Sequence, residues 1–405
     1  MSKIITDEKL IEHLLTRGVE NIYPDKASLK KLLMSGKKIR LYCGYDPTSP
    51  TLHLGHGITI RKLAKFLELG HEVIFLFGDF TAQIGDPTDK SSARQPLTHR
   101  QVLKNLTGWK KQIKNLIDVR KVRFVYNSRW LNKLNFADLI KLTSYFTAQQ
   151  TLAREMFKKR MAEGKDLYFN EFLYPMIQAY DAVTMDVDLQ IGGNDQMFNM
   201  LAGRDLMKKK KNKEMFVLTT KLLIDPTGKK MGKSEGNIIT LTDSPADMYG
   251  KVMSWPDGMI VPGFEILTDL SDEGLLEVKD GLQLGLANPR DFKMKLAYEI
   301  VKIYQGAKAA ESAEENFKRV FQEKQKPLDI PKVVIKDKDG KIGVLDLFVK
   351  TGLAKSNNEA RRLISEQALR IDDDLVAKVD LQVVIPEKGL LLQRGKKQFA
   401  RVSKK

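Results

Sequence analysis

The stretch IRLYCGYDPTSPTLHLGH, Ile39 to His56, decides the fold. Ile39–Gly44 is an apolar run long enough for a strand, and Pro47, Ser49 and Pro50 break it into a turn. Ile60, Leu63, Ala64 and Leu67 follow at helical spacing, and Gly70 stands where a helix C-terminus favours glycine. Glu72–Gly78 (EVIFLFG) is a continuous apolar run, as expected of a strand covered on both faces. Strand, helix and strand in this order predict a parallel βαβ unit with a right-handed crossover. The turn at its first corner carries two histidines, His53 and His56.

Outward from this unit, residues 8–35 read as one amphipathic helix, with Leu10, Ile11, Leu14 and Leu15 on its apolar face. Val122–Tyr126 and Phe216–Leu218 are further strand candidates. Residues 130–185 are helical in pattern and fit an insertion between two halves of a sheet. The expected architecture is α/β. Residues 1–243 form a doubly wound, parallel-sheet (Rossmann-like) catalytic domain with a helical insertion at 130–185. An α-helical domain follows at 244–325, then a linker at 326–341 containing Pro327 and Pro331, then a small α+β domain at 342–405.

Composition narrows the function. The 405 residues hold 68 Lys+Arg against 51 Asp+Glu, a net charge of +17 that favours a polyanionic partner, either nucleic acid or an anionic membrane face. Cys43 is the single cysteine, which excludes an intramolecular disulfide and a cysteine-based zinc site. The first residues lack the apolar core of a signal peptide, and no apolar run of membrane-spanning length occurs. The expected location is therefore cytoplasmic, with no membrane association.

Two segments carry chemistry. A helix N-terminus after a strand is an anion site, because its N–H groups and dipole favour phosphate. His53 and His56, at i and i+3 on that first turn, can donate to phosphate oxygens. Gly55 between them would let a flat base approach the backbone. A metal reading of the pair needs a third ligand nearby in sequence, and none is evident. The second segment runs from Asp225 to Ser234 (DPTGKKMGKS). A P-loop would need glycine at 227, which is Thr227. It reads instead as a turn-rich loop whose lysines and Ser234 hydroxyl could close over a triphosphate.

Together the segments resemble the paired signatures of class I aminoacyl-tRNA synthetases: His53-Leu54-Gly55-His56 for H-I-G-H, and Lys230-Met231-Gly232-Lys233-Ser234 for K-M-S-K-S. Leu54 replaces isoleucine at little cost in volume. Gly232 replaces serine and loosens the loop while both signature lysines remain. Four further segments resemble the tyrosyl branch of that family: Leu41–Thr48, Ile84–Thr88, Tyr174–Asp181 and Gln190–Gln196, the last as its glycine turn beside the ribose. Tyr174, Gln178 and Asp181, at i, i+4 and i+7, share one helix face.

That resemblance implies a ligase that activates L-tyrosine with ATP and loads it onto tRNA(Tyr). It implies that Tyr42 and Asp181 pair the phenolic hydroxyl, and that Asp86, Tyr174 and Gln178 hold the ammonium group. Gln196 would meet the substrate carboxyl region and Asp195 the ribose. Thr48, His53 and His56 would contact the ATP phosphates, with Gly55 and Ser234 also in the ATP site. Lys90, Arg94, Lys230 and Lys233 would clamp the departing pyrophosphate. Magnesium is expected with ATP, no protein-bound metal is expected, and a homodimer is implied. Residues 342–402, where Ser356 can cap a helix bearing Arg361 and Arg362, resemble a small RNA-binding fold shared with a ribosomal small-subunit protein. A tryptophanyl enzyme and a non-catalytic RNA-binding derivative are the rival readings. Tyr42 with Asp181 disfavours the first, and the retained signatures disfavour the second.

Overall fold

Six strands build the sheet of the first unit: β1 (Val19–Tyr23), β2 (Arg40–Tyr45), β3 (Glu72–Phe77), β4 (Arg123–Tyr126), β5 (Leu189–Gly193) and β6 (Phe216–Thr220). The computed structural model describes residues 3–88, 97–225, 227–228, 238–322, 330–335, 341–395 and 398–404. The chain divides into two compact units, residues 1–311 and 312–405.

Spatial order in the first sheet is β1-β6-β5-β2-β3-β4. From β6 to β4 every pairing is parallel; only β1 runs antiparallel, along β6. The chain steps outward from β2 to β3 and β4, then returns across β2 to lay down β5 and β6. The reversal lies between β2 and β5. In sheets of this kind, ligands bind outside the carboxyl ends of the strands at that switch point. β2 ends at Tyr45 and β5 at Gly193, so the topology places a site beside Asp46 and Asn194.

Between β2 and β3 runs the helix Leu54–Glu68, and Gly70 beyond it has φ +94°, as the expected left-handed stop requires. Tyr42, Ile74, Leu76, Ala179, Val183 and Val217 share a buried core joining the sheet to the helix Phe169–Met185. The expected single helix over residues 8–35 is instead two, Glu8–Thr16 and Lys26–Met34, with β1 between them. Gly18 turns the chain at φ +62°. The side chain of Asp25 caps the second helix by accepting from Ser28 N at 2.8 Å, an interaction worth about 1 kcal/mol. Gln190–Gly193, read from sequence as part of a glycine turn, belongs to the central strand β5, and a short 3₁₀ turn, Asn194–Gln196, follows.

The helices Pro245–Met253, Ile260–Leu267, Asp272–Gln283 and Pro289–Gln305 belong to the same unit as the sheet, and do not form the separate body expected for 244–325. Arg17 Nε donates to Glu265 O at 2.8 Å, and Lys221 pairs with Glu265 at 2.7 Å. Tyr304 lies against the helix Leu54–Glu68 so closely that its hydroxyl fills the space a Cβ on Gly57 would need.

In the second unit, β7 (Lys332–Ile335), β9 (Leu369–Ile371), β10 (Asp374–Leu375), β12 (Leu390–Arg394) and β13 (Gln398–Lys404) form a sheet in the order β10-β9-β12-β13-β7. β8 (Lys341–Gly343) pairs with β11 (Gln382–Val384). Val344, Leu347, Phe348, Ala360, Leu363 and Leu392 are buried in its core. Ser356 caps the helix Asn357–Ser365, accepting from Glu359 N at 3.3 Å as expected, and Arg361 and Arg362 are exposed on it. The linker expectation fails for 332–335: β7 pairs in parallel with β13, so this stretch is part of the sheet.

Candidate active site

The turn after β2 packs its two histidines face to tilted face, with ring centroids 3.8 Å apart. His53 N donates to His56 Nδ1 at 3.1 Å. That bond requires an unprotonated Nδ1, so the neutral His56 ring carries its hydrogen on Nε2 and presents a donor there. Gly55 is needed because a Cβ would stand 2.9 Å from Cε1 of His53. The anion site expected at this helix start is narrower than the sequence implied. Leu54 N–H already donates to Ile239 O at 3.1 Å, and His56 N–H and Gly57 N–H both bond His53 O. The histidine rings, rather than a full set of unused backbone donors, are the groups this corner offers to phosphate.

Ile239 matters for a second reason. Leu241 N donates to Leu52 O at 2.8 Å, and His53 bridges Thr240. The chain leaving the lysine-rich loop is thus hydrogen-bonded to the histidine turn, which brings the flanks of the two signatures together. Leu223, before that loop, and Ile238 and Trp255, after it, line one cleft with His53 and Gly55. Lys90, Arg94, Lys230, Lys233 and Ser234 lie outside the described residues.

Deeper in the unit, a polar chain runs across the ends of β2, β3 and β4. Tyr174 Oη donates to Asp46 Oδ2 at 2.9 Å, and Thr81 Oγ1 donates to Asp46 Oδ1 at 2.7 Å. Asn127 Nδ2 donates to Thr81 Oγ1 at 3.0 Å and to Asp181 Oδ2 at 3.1 Å, and Trp130 Nε1 donates to Asp181 Oδ1 at 2.7 Å. Asp181 is 2% exposed; burial first, then the nearby Asp46 and Asp79 carboxylates, pushes its pKa up to about 8 against the pull of these two donors. Burial also raises the Tyr42 phenol well above its ordinary value, with Asp181 adding to the shift. Among the described residues the fully buried Tyr42 hydroxyl has no hydrogen-bond partner. An unpaired buried hydroxyl is costly, and a ligand hydroxyl would satisfy it.

The same pocket is rich in negative charge. Burial, then Asp46 and Asp86, raises the Tyr174 phenol, with a smaller contribution from Asp181. Gln196 Nε2 donates to Asp86 Oδ2 at 2.7 Å, Thr88 N donates to Asp86 Oδ1 at 2.9 Å, and Asn199 Nδ2 fixes Gln196 Oε1 at 3.0 Å. Gln178 is half-buried one turn beyond Tyr174 on the same helix. Thr48 lies on the histidine turn, its N–H donating to Asp46 O at 2.8 Å, and Asp195 sits in the 3₁₀ turn at the carboxyl end of β5. Gly192 and Gly193 have no room for side chains, since Met200 Sδ and Asp195 Oδ1 occupy those positions.

Sequence reasoning missed Asp46, Thr81, Asn127 and Trp130, and also the cleft residues Leu223, Ile239 and Trp255. Asp46 was inside the decisive stretch. Its signal was its place just beyond a strand at the sheet's reversal point.

A five-strand parallel run reversing at β2 and β5, with paired histidines at the corner, defines a doubly wound α/β domain with a ligand site at its switch point. The chain belongs to the family described as tRNA synthetases class I (W and Y), which matches residues 34–322. Residues 322–402 match the tyrosine–tRNA ligase SYY-like C-terminal domain. The chain is 42% identical to the tyrosine–tRNA ligase of Moorella thermoacetica over 96% of this chain and 94% of that one. It is 38% identical to the Thermotoga maritima tyrosine–tRNA ligase over 98% of each. A solved structure of a C-terminally truncated mitochondrial tyrosyl-tRNA synthetase from Aspergillus nidulans superposes with a TM-score of 0.64 at 24% identity, covering 77% of this chain and 94% of that one. The Archaeoglobus fulgidus tyrosyl-tRNA synthetase, solved with L-tyrosine, gives 0.61 at 24% identity over 75% and 99%. At that identity these two structures bear on the fold alone.

Proposed function

We propose that this chain is a tyrosine–tRNA ligase that forms tyrosyl-adenylate from L-tyrosine and ATP and passes the tyrosyl group to the 3′-terminal adenosine of tRNA(Tyr). The observation that carries the tyrosine assignment is the partnerless Tyr42 hydroxyl buried beside Asp181. A substrate phenol placed between them completes the Tyr42 hydrogen bond; phenylalanine leaves it unmade. Asp46 and Asp86, gathered around Tyr174, supply the negative field an α-ammonium needs. Asp86, Tyr174 and Gln178 hold that group in this reading, and Gln196 meets the carboxyl region.

The reaction asks for positioning and charge stabilisation more than for a protein nucleophile. The tyrosine carboxylate attacks the α-phosphorus and pyrophosphate leaves. The adenosine hydroxyl of tRNA then attacks the acyl carbon and AMP leaves. Thr48, His53 and His56 contact the phosphates, Asp195 bonds the ribose, and Gly55 lets the base approach. Lys90, Arg94, Lys230 and Lys233 clamp the departing pyrophosphate, with Ser234 also in the ATP site. Magnesium enters with the triphosphate in this reading.

Residues 342–402 present exposed Arg361 and Arg362 for RNA phosphate contacts. A homodimer belongs to the same reading, supported by Phe136, Ile140 and Phe169, which are 77, 57 and 87% exposed on the helical insertion. No helix among the described residues is long and apolar enough to cross a membrane, and a cytoplasmic location belongs to the same reading. Pyrophosphate exchange with ATP, run with tyrosine and with tryptophan, tests the reading. Exchange driven by tryptophan, or by neither amino acid, refutes it.

A further inference from the structure

Three side chains from one stretch clamp the turn that precedes the paired histidines. Asn105, Trp109 and Gln112 stand at i, i+4 and i+7 across the helices His99–Leu106 and Trp109–Ile113. Asn105 Nδ2 donates to Pro47 O at 2.9 Å, Trp109 Nε1 to Ser49 O at 3.2 Å, and Gln112 Nε2 to Pro50 O at 2.9 Å. Gln112 Oε1 also accepts from Leu52 N at 2.8 Å. Leu52 is thereby held from two sides, since its carbonyl accepts from Leu241 N at 2.8 Å. The same stretch braces the far side of the histidines. Asn115 Nδ2 donates to Tyr304 O at 2.7 Å, and the Tyr304 hydroxyl fills the space beside Gly57.

Pro47 and Pro50 have no N–H, so this turn has few groups for backbone pairing and takes its shape from partners brought by other segments. Gln112 meets both polarities with one amide: its NH2 serves a carbonyl and its oxygen an N–H two residues later. Neither an ionised carboxylate nor an apolar side chain satisfies both. Trp109 is 1% exposed and its ring centroid lies 6.4 Å from that of His56, so the clamp packs close to the histidines. We infer that Gln112 is a positioning residue for amino-acid activation: by setting Pro50–Leu52 it aims the His53 and His56 rings at the ATP phosphates. The inference rests on the reading of those rings as phosphate contacts, and Gln112 itself touches no reacting atom. Misplacement by an ångström costs such a site about 100-fold in rate. A turn that keeps its anchors at Asn105 and Trp109 moves less, so a smaller loss is expected.

The test is single-turnover formation of tyrosyl-adenylate by the full-length protein. Gln112→Met, which keeps side-chain length and removes both bonds, is made in the unmodified chain and in H53A/H56A. Alone it is expected to lower the rate constant at saturating ATP about tenfold, the size of one net hydrogen bond. Tyrosine affinity, measured by equilibrium dialysis, should stay unchanged and reports on folding. In the chain lacking both rings the same substitution should change the rate by less than about twofold, because nothing remains for the turn to aim. Gln112→Glu, which keeps the acceptor for Leu52 N, follows the same cycle and replaces Gln112→Met should that variant lose tyrosine binding. An equal fractional loss in both backgrounds overturns the inference, as does a normal rate in the single variant. An unaltered rate in H53A/H56A removes the rings from phosphate contact and overturns the inference while leaving the tyrosine ligase reading in place. Absence of adenylate formation by the unmodified protein overturns the ligase reading itself, and this one with it.

Discussion

The carboxylate of Asp46 occupies the space that a Cβ on Gly78 would need. Gly78 closes β3 and Asp46 follows β2, so two neighbouring strand ends are locked together by an absent side chain. Asp46 holds Tyr174 through one oxygen and Thr81 through the other. Gly78→Ala should push Asp46 off this position and disturb the ammonium side of the pocket. Misplacement on the scale of an ångström costs about 100-fold in such sites. The expected outcome is a fall of roughly 10- to 100-fold in kcat/KM for tyrosine, with KM for ATP little changed. Steady-state exchange kinetics measure both, and equal damage to the two substrates would argue against this local account.

Lys233→Ala should lower the activation rate by roughly 100-fold or more while tyrosine affinity holds, because the lysine meets charge that appears only as pyrophosphate departs. Pre-steady-state adenylate formation is the measurement. A variant with near-normal exchange removes Lys233 from that role.

Asp181→Ala should damage the choice between tyrosine and phenylalanine or abolish tyrosine use. It deletes a proposed phenol partner and also leaves Trp130 Nε1 without its acceptor. The ratio of kcat/KM for the two amino acids is the test, and an unchanged ratio rules out the assignment.

The raised pKa of Asp181 has a stability consequence of its own. An unfolded aspartate titrates near ~3.9, so a folded value of about 8 means the folded state binds the proton more tightly. The contribution of this group is fully present below the unfolded value and is lost as pH rises through about 8. Asp181→Asn cannot ionise. Urea midpoints of the two proteins at about pH 6 and about pH 9 should therefore show the unmodified protein losing ground to the variant at the higher pH. A gap that does not move with pH means the carboxyl is ionised throughout.

Removing everything after Gln322 should separate the half-reactions. The cut belongs before β7, because that strand is part of the C-terminal sheet. Exchange should remain near normal while tRNA charging weakens, with part of the deficit relieved at low salt, where the remaining phosphate contacts strengthen. Charging unaffected at physiological salt would show that the C-terminal unit does not bind tRNA.

The βαβ unit was legible because its signals are local: an apolar run, helical spacing, a glycine stop and a second apolar run. β1 was not, since Val19–Tyr23 is only half-buried and gains its identity from β6, far along the chain. The same holds for the site. Tyr42, Asp86, Tyr174, Gln178 and Asp181 stand in segments that carry a family resemblance. Asn127 and Trp130 matter through bonds to Asp181 that only the folded chain creates. The glycines of β5 announced a turn, yet they record close neighbours, Met200 and Asp195.

The antiparallel seam between β1 and β6 also sets an order of assembly. Asn21 N bonds Thr219 Oγ1 across 198 residues of chain. During synthesis the N-terminal strand must wait, unpaired, until β6 has left the ribosome, and long-range pairings of this kind form slowly. A nascent chain stalled before Phe216 would carry β1 without its partner and β5 with one edge uncovered, a surface for chaperones or for other chains. The enzyme's first structured segments are thus among its last to be secured.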